Sequence, residues 1–323
     1  MRRWCGTLLL ALAAGCLGLG DRVVSVSDTD GSSDHRIFRI GAVTKLMMEP
    51  VLWKLEDLKL IDFDRPVTEF FNGFLPPEYE SVTLRDLHDG RSGLPLTLID
   101  PYCLGDLGDL CAAAAFGFPL CGGFDSRDAF VARLWTRHYR KDVERREPRR
   151  SDAAYALLMM AVCDRLGLRL DELCERYLVE PYGLKDTSFV PYQGMRNRLT
   201  RPCAGLVPLA LPRGCEVSDY RGSGEVTLFS GGMLSSAYDI LRVAYVIRPL
   251  LDRAKPILES ARLPCGRDVW YLTGTTPGGH AFVGFDPEGG HAVAVLENAT
   301  GIGSGDGLEL LENLANPPKE EKK

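Results

Sequence analysis

The sequence changes its period at one glycine, and no other feature constrains the fold as strongly. Ile37 to Ile40 reads as a short strand, Gly41 as a turn, and Ala42 onward as a helix running to about Leu58. Leu46, Met47, Val51, Leu52, Leu55 and Leu58 recur at helical spacing, which predicts a helix with a core-facing side. Pro50 falls inside it, where the lost backbone hydrogen bond costs about 3 kcal/mol unless a bend accommodates it. Residues three apart share a helix face, so positions 42 and 45 point into one space. Lys45 brings an amine there, and Ala42 brings only a methyl group. A hydroxyl at 42 would have stood beside a base, the arrangement that makes a nucleophile.

The remaining pattern places this helix in a larger frame. Arg22 to Ser27 alternates as a strand and ends in a turn, and Thr83 caps a short helix with Asp86 three residues on. Ser126 caps a helix through about Tyr139. Ser151 or Asp152 caps another, Ala153 to Leu166, which Gly167 ends. Leu170 to Leu178 is a further helix. Ser230 to Ser236 is a turn that caps a helix from Ala237 to about Leu251. Val269 to Thr273, Ala281 to Phe285 and His291 to Leu296 read as consecutive antiparallel strands, followed by a helix at Leu308 to Leu314. Strands at both ends with helices between predict an α+β fold. One antiparallel sheet is built from the two termini, flanked by helices, with a mainly helical insertion over about 75–225. A ligand cleft is expected where the two parts meet.

Charge and cysteine usage narrow the setting. A net charge of −6 over 323 residues gives no electrostatic case for nucleic acid, and the basic run from Arg137 to Arg150 is interleaved with Asp142, Glu144 and Glu147. Arg2 and Arg3 precede an apolar stretch, Thr7 to Leu19, too short to span a bilayer comfortably. Residues 1–20 are therefore read as a secretory signal, or a lipoprotein signal ending at Cys16 in a bacterial host. The expectation is a secreted protein with no stable membrane span after signal removal, comprising a domain over 21–316 and a polar tail over 317–323. Of ten cysteines, eight lie beyond that signal, an even number that permits disulfides in an exported chain. No Cys or His spacing matches a metal site, so neither metal nor other cofactor is expected. Asn298-Ala299-Thr300 is a glycosylation sequon.

Several short motifs then carry a resemblance. They are Phe38-x-Ile40-Gly41-x-Val43-x-Lys45, Val82-Thr83-Leu84-Arg85-Asp86-Leu87 with Arg91-Ser92-Gly93-Leu94-Pro95, and Ser151-Asp152-x-x-Tyr155. Pro181-Tyr182-Gly183-Leu184-x-Asp186-Thr187, Gly231-Gly232-Met233-Leu234-Ser235-Ser236-x-x-Asp239 and Thr273-Gly274 follow, then Gly284-Phe285-x-Pro287. In this order, the chain over about 22–316 resembles the superfamily of class C β-lactamases, D-alanyl-D-alanine carboxypeptidases and esterases. In detail it is most similar to secreted fungal β-lactamase-related proteins. The resemblance implies a three-layer α/β/α fold and a Ser-x-x-Lys nucleophile, a Tyr-x-Asn motif and a Lys/His-Thr-Gly strand.

This chain departs from that pattern at three separate places. Ala42 stands at the nucleophile position, Arg150 at the Tyr position with Asp152 where Asn is usual, and Leu272 at the head of the strand triplet. Lys45, Thr273 and Gly274 remain. Loss of the nucleophile in a triad-type hydrolase typically costs around 10⁶ in kcat, so the resemblance implies loss of Ser-Lys acyl transfer. Two alternatives stay open. One is an active serine-type hydrolase or acyltransferase on small esters or amides, whose nucleophile lies elsewhere (Thr44 or Ser151) or whose Ala42 is engineered. The other is small-molecule binding or non-acyl chemistry in the cleft, with Lys45 and Arg150 holding an anion. An ester, amide or carboxylate is the expected partner, and an ion pair between Asp152 and Lys45 is expected in the altered site.

Overall fold

The computed structural model describes residues 22–26, 35–95, 126–200, 225–276, 279–298 and 305–316. The signal segment, the polar tail and Cys103, Cys111, Cys121, Cys203 and Cys215 lie outside the described residues. The chain begins with β1 (Arg22–Val26) and β2 (Phe38–Arg39), then α1 (Val43–Asp57) and α2 (Leu84–His88). It continues through α3 (Arg127–Leu134), α4 (Arg137–Arg145), α5 (Asp152–Leu166) and α6 (Leu170–Cys174). Next come α7 (Glu225–Gly231), β3 (Leu234–Ser235) and α8 (Ala237–Ile247). The last part is β4 (Glu259–Arg262), β5 (Asp268–Thr276), β6 (Gly279–Asp286), β7 (His291–Glu297) and α9 (Gly305–Ala315).

One five-stranded antiparallel sheet runs in the order β1-β7-β6-β5-β4, so the first strand of the chain does join strands from its last quarter. Alternation divides its residues between two faces. The row Leu272, Val283, Ala294 and the row Gly274, Ala281, Leu296 lie on one face, against the core shared with α1, α5 and α8. Val269, Phe282, Val293 and Val295 lie on the other, packed with Leu311 of α9. Helices thus cover both faces of the sheet, giving three α/β/α layers.

α1 and α5 are the two long helices of the core, and they differ from simple amphipathic helices in being buried nearly all round. Val43 to Trp53 and Ala153 to Cys163 are buried without interruption. Pro50 is tolerated inside α1, which runs through it to Asp57. Gly167 ends α5 in the left-handed conformation, and Thr83 and Asp86 form a reciprocal capping box on α2, both as the sequence predicts.

Elsewhere the structure corrects the sequence reading. β2 does not enter the main sheet but pairs with β3 in a separate two-stranded ribbon, because the chain turns into α1 after only two paired residues. The helix expected from Ser126 to Tyr139 is two helices, broken where Trp135 donates its indole N–H to the Phe74 carbonyl at 2.8 Å and Thr136 is extended. α7 ends in Ser230 and Gly231, which were read as the start of a turn, and neither α7 nor β4 was anticipated. Asn298 of the sequon is buried at 5% exposure.

The cysteines at which a disulfide was most expected, Cys103, Cys111 and Cys121, lie outside the described residues. Cys163, Cys174 and Cys265 are free thiols. Burial pushes the Cys163 thiol up to about 12 and raises Cys174 as well, so neither forms thiolate at neutral pH. Iodoacetamide treatment of the native protein followed by peptide mapping should modify exposed Cys265 and spare Cys163 and Cys174 until denaturant is added.

Candidate functional site

The site is assembled where α1 begins, where β5 crosses it and where α5 begins. Gly41 adopts φ +52°, a left-handed conformation that suits glycine and turns β2 sharply into α1. A Cβ there would lie 2.9 Å from the Thr275 backbone nitrogen. Gly274 is under tighter constraint, since its Cβ would come within 2.0 Å of the Ile40 carbonyl oxygen and 2.8 Å of the Ala42 nitrogen. Two glycines therefore let the strand bearing Thr273, Gly274 and Thr275 lie directly on the start of the helix bearing Ala42.

One turn along α1, Lys45 is buried at 8% exposure and its ammonium pairs with Asp152 Oδ1. The nitrogen also sits 5.9 Å above the ring of Tyr155, whose hydroxyl donates to the Lys45 carbonyl at 3.0 Å. Burial raises the Tyr155 phenol well above its ordinary range, so it stays a neutral donor. The ion pair between Lys45 and Asp152 expected from the sequence is present.

The two hydroxyls considered as replacement nucleophiles are committed elsewhere. Ser151 Oγ caps α5 by accepting from Ala154 N at 2.9 Å and donates to the Pro95 carbonyl at 2.5 Å. Thr44 Oγ1 accepts from Met233 N at 3.2 Å. Leu272 is buried in the main core at 5% exposure, on the sheet face turned toward α1. Thr273 shares its row with Phe282 on the α9 face. One residue past the triplet, exposed Thr275 contacts His280 Nδ1 through Oγ1 at 3.4 Å.

Arg150 corrects one expectation. It does not join Lys45 around an anion but reaches the edge strand, pairing with Glu259 Oε1 of β4 at 3.2 Å. Partial burial lowers its pKa, with Glu259 and Tyr271 opposing that shift. Each cation of the supposed anion site already holds a carboxylate. Among the described residues, no group of three His, Cys, Asp or Glu side chains is placed to hold a metal ion.

A charged cluster one turn below Lys45 was missed. Glu49 is fully buried, and its carboxylate accepts from His88 Nε2 at 3.0 Å, while His88 Nδ1 meets Asp89 Oδ1 at 2.7 Å. Burial alone would lower the imidazole pKa, but the two carboxylates outweigh it and hold the value at about 10. With both ring nitrogens engaged, this imidazolium has no free position to serve as a base. A glutamate one turn past Lys45 in a core-facing helix was the available signal.

Comparisons with known proteins bear on the fold and the family. No curated protein sequence matches the chain. In structure, the chain is similar to a class C beta lactamase from Rhodobacter sphaeroides, with 15% identity, a TM-score of 0.66, and 95% of this chain and 98% of that one covered. A D-stereospecific amidohydrolase from a Streptomyces species is similar at 18% identity and a TM-score of 0.60, covering 95% and 98%. The octameric penicillin-binding protein homologue from Pyrococcus abyssi is similar at 18% identity and a TM-score of 0.63, covering 96% and 78%. These likenesses establish the fold, while the family model described as Beta-lactamase matches residues 18–315. On that match, spanning nearly the whole sequence, the chain belongs to the beta-lactamase family.

Proposed function

We propose that this protein is a pseudoenzyme of its family, exported from the cell, that has lost Ser-Lys acyl transfer and uses the cleft to bind a small molecule. The observation that carries the reading is at α1. Ala42 has no atom that can attack a carbonyl, and the ammonium of Lys45 is held by Asp152. The Lys45 nitrogen is thereby engaged by a carboxylate and not by a hydroxyl that could attack a carbonyl. Leu272 and Arg150 remove two further groups that the family pattern supplies for proton transfer and charge stabilisation. Fold membership leaves activity open, because function resides in the site.

The test is hydrolysis of a chromogenic β-lactam and of p-nitrophenyl acetate by the purified mature chain. Turnover should match that of the same protein after heat denaturation. Saturable turnover by the native protein alone would sink the proposal.

One observation favours a second reading, an active hydrolase with a displaced nucleophile. The Thr275 backbone lies against Gly41 at the start of α1, and the Thr275 hydroxyl contacts His280 Nδ1 at 3.4 Å. On that reading, abolition of the turnover by Thr275→Val would identify the nucleophile.

A further inference from the structure

We infer that a second cleft, at the far end of α1 and α5 from Ala42, binds an organic anion carried on an apolar body. α1 has 15 residues, so its two ends stand about 22 Å apart. Residues just past its C-terminal end, the last turn of α5 and the turn over Val67–Phe70 border a cleft of about 950 Å³. Sites that take small molecules span about 300–1,000 Å³.

Three polar side chains that line this cleft are uncommitted. Among the described residues, Lys59 and Arg165 make no ion pair and no side-chain hydrogen bond, and the Asn72 amide has no partner either. The other charges of the lining are engaged, Arg65 by Glu69, Asp164 by Arg127 and Arg169 by Asp171. Asp62 is the remaining acid, and its Oδ1 accepts from Asp64 N at 3.0 Å. Two uncommitted cations therefore share the cleft with one uncommitted carboxylate.

A cation near the C-terminal end of each helix is favoured by the helix dipole. That accounts for the two charges separately, but it does not require both to open on one cleft. An ammonium and a guanidinium only donate hydrogen bonds. The group they can share is an acceptor with negative charge, of which a carboxylate is the simplest. Asn72 can donate to the same group.

The rest of the lining sets the body of the ligand. Leu60 is 39% exposed, and Phe70 and Leu168 are half-buried, so the cleft presents apolar surface to water. Covering that surface is favourable in proportion to its area. An inorganic ion would use the charges alone, whereas an aromatic carboxylate uses both parts of the lining. This site is separate from the chemistry at Ala42 and stands whether or not the other cleft is acylated.

The probes are 2-naphthoate and 2-naphthylmethylamine, two ligands with one apolar body and opposite charge. Their dissociation constants are measured by NMR titration of the full chain, with the amides of Leu60, Asn72 and Leu168 as reporters. Naphthoate should bind about three- to twentyfold more tightly than the amine, since each exposed charge pair supplies up to about fivefold. Lys59→Ala and Arg165→Ala should each weaken naphthoate by about two- to fivefold. Both residues are exposed, so these variants should keep the circular dichroism of the natural chain. The double reversal Lys59→Glu with Arg165→Glu should make the amine the tighter ligand. Equal or tighter binding of the amine by the natural chain overturns the inference, as does naphthoate affinity unchanged in the double reversal. Absence of saturable naphthoate binding overturns it too, and so does binding that moves the Ala42 and Thr275 amides but not the three reporters.

Discussion

Replacing His88 with Leu is expected to destabilise the protein by about 3–5 kcal/mol, the cost of leaving a buried charge without its partner. Glu49 is fully buried on α1, and His88 supplies the positive charge that its carboxylate faces at 3.0 Å. Asp89 and, through it, Arg91 extend the network to the surface, but Glu49 itself is shut off from water, so solvent does not offset the loss. Urea denaturation monitored by circular dichroism measures the change. The double variant Glu49→Leu with His88→Leu should recover most of it, because removing both charges leaves an apolar contact in an apolar core. Failure of the double variant to recover would mean that the imidazole is needed for its shape.

The same network sets a pH dependence. The folded pKa of His88, about 10, lies above its ordinary value of 6.5. The folded state therefore binds the proton more tightly than the unfolded state. Its contribution to stability is complete below about pH 6.5 and declines as pH rises through about 10. The natural chain should lose stability across that alkaline window, and the double variant should lose less.

Gly274→Ala is the second large effect. The added methyl would meet the Ile40 carbonyl oxygen at 2.0 Å and the Ala42 and Val43 nitrogens at 2.8 and 2.9 Å. All three are backbone atoms that open the long buried helix, so none can swing aside as a flexible side chain would. A cost of about 1–3 kcal/mol is expected from overpacking of this kind. It should come with displacement of β5 from α1, and hence with loss of ligand binding. A lowered Tm together with unchanged amide resonances for Ala42 and Thr275 would contradict the placement of these elements.

How much of this was legible in the sequence follows from where the physics is local. The period change at Gly41, the Thr83–Asp86 box and the Gly167 stop are decided by neighbours along the chain, and each was readable. The Lys45–Asp152 pair was readable only because the resemblance placed Ser151-Asp152 opposite α1. The direction of Arg150 was not, since Glu259 lies over a hundred residues away on a four-residue edge strand that carries little pattern of its own. α7 was missed because seven residues make under two helical turns, too few for a period to stand out. The Glu49–His88 pair depends on a tertiary contact between α1 and the end of α2, and its sequence trace was one glutamate among the core-facing residues of α1.

With Ala42 at the nucleophile position, the cleft should hold no side chain that can be acylated. Intact-mass spectrometry of the native protein after incubation with a fluorophosphonate, and separately with a penicillin, tests it most directly. The predicted result is an unchanged mass with both reagents under conditions that fully label an active serine hydrolase. A stoichiometric adduct on a Ser or Thr, absent after denaturation, would contradict it.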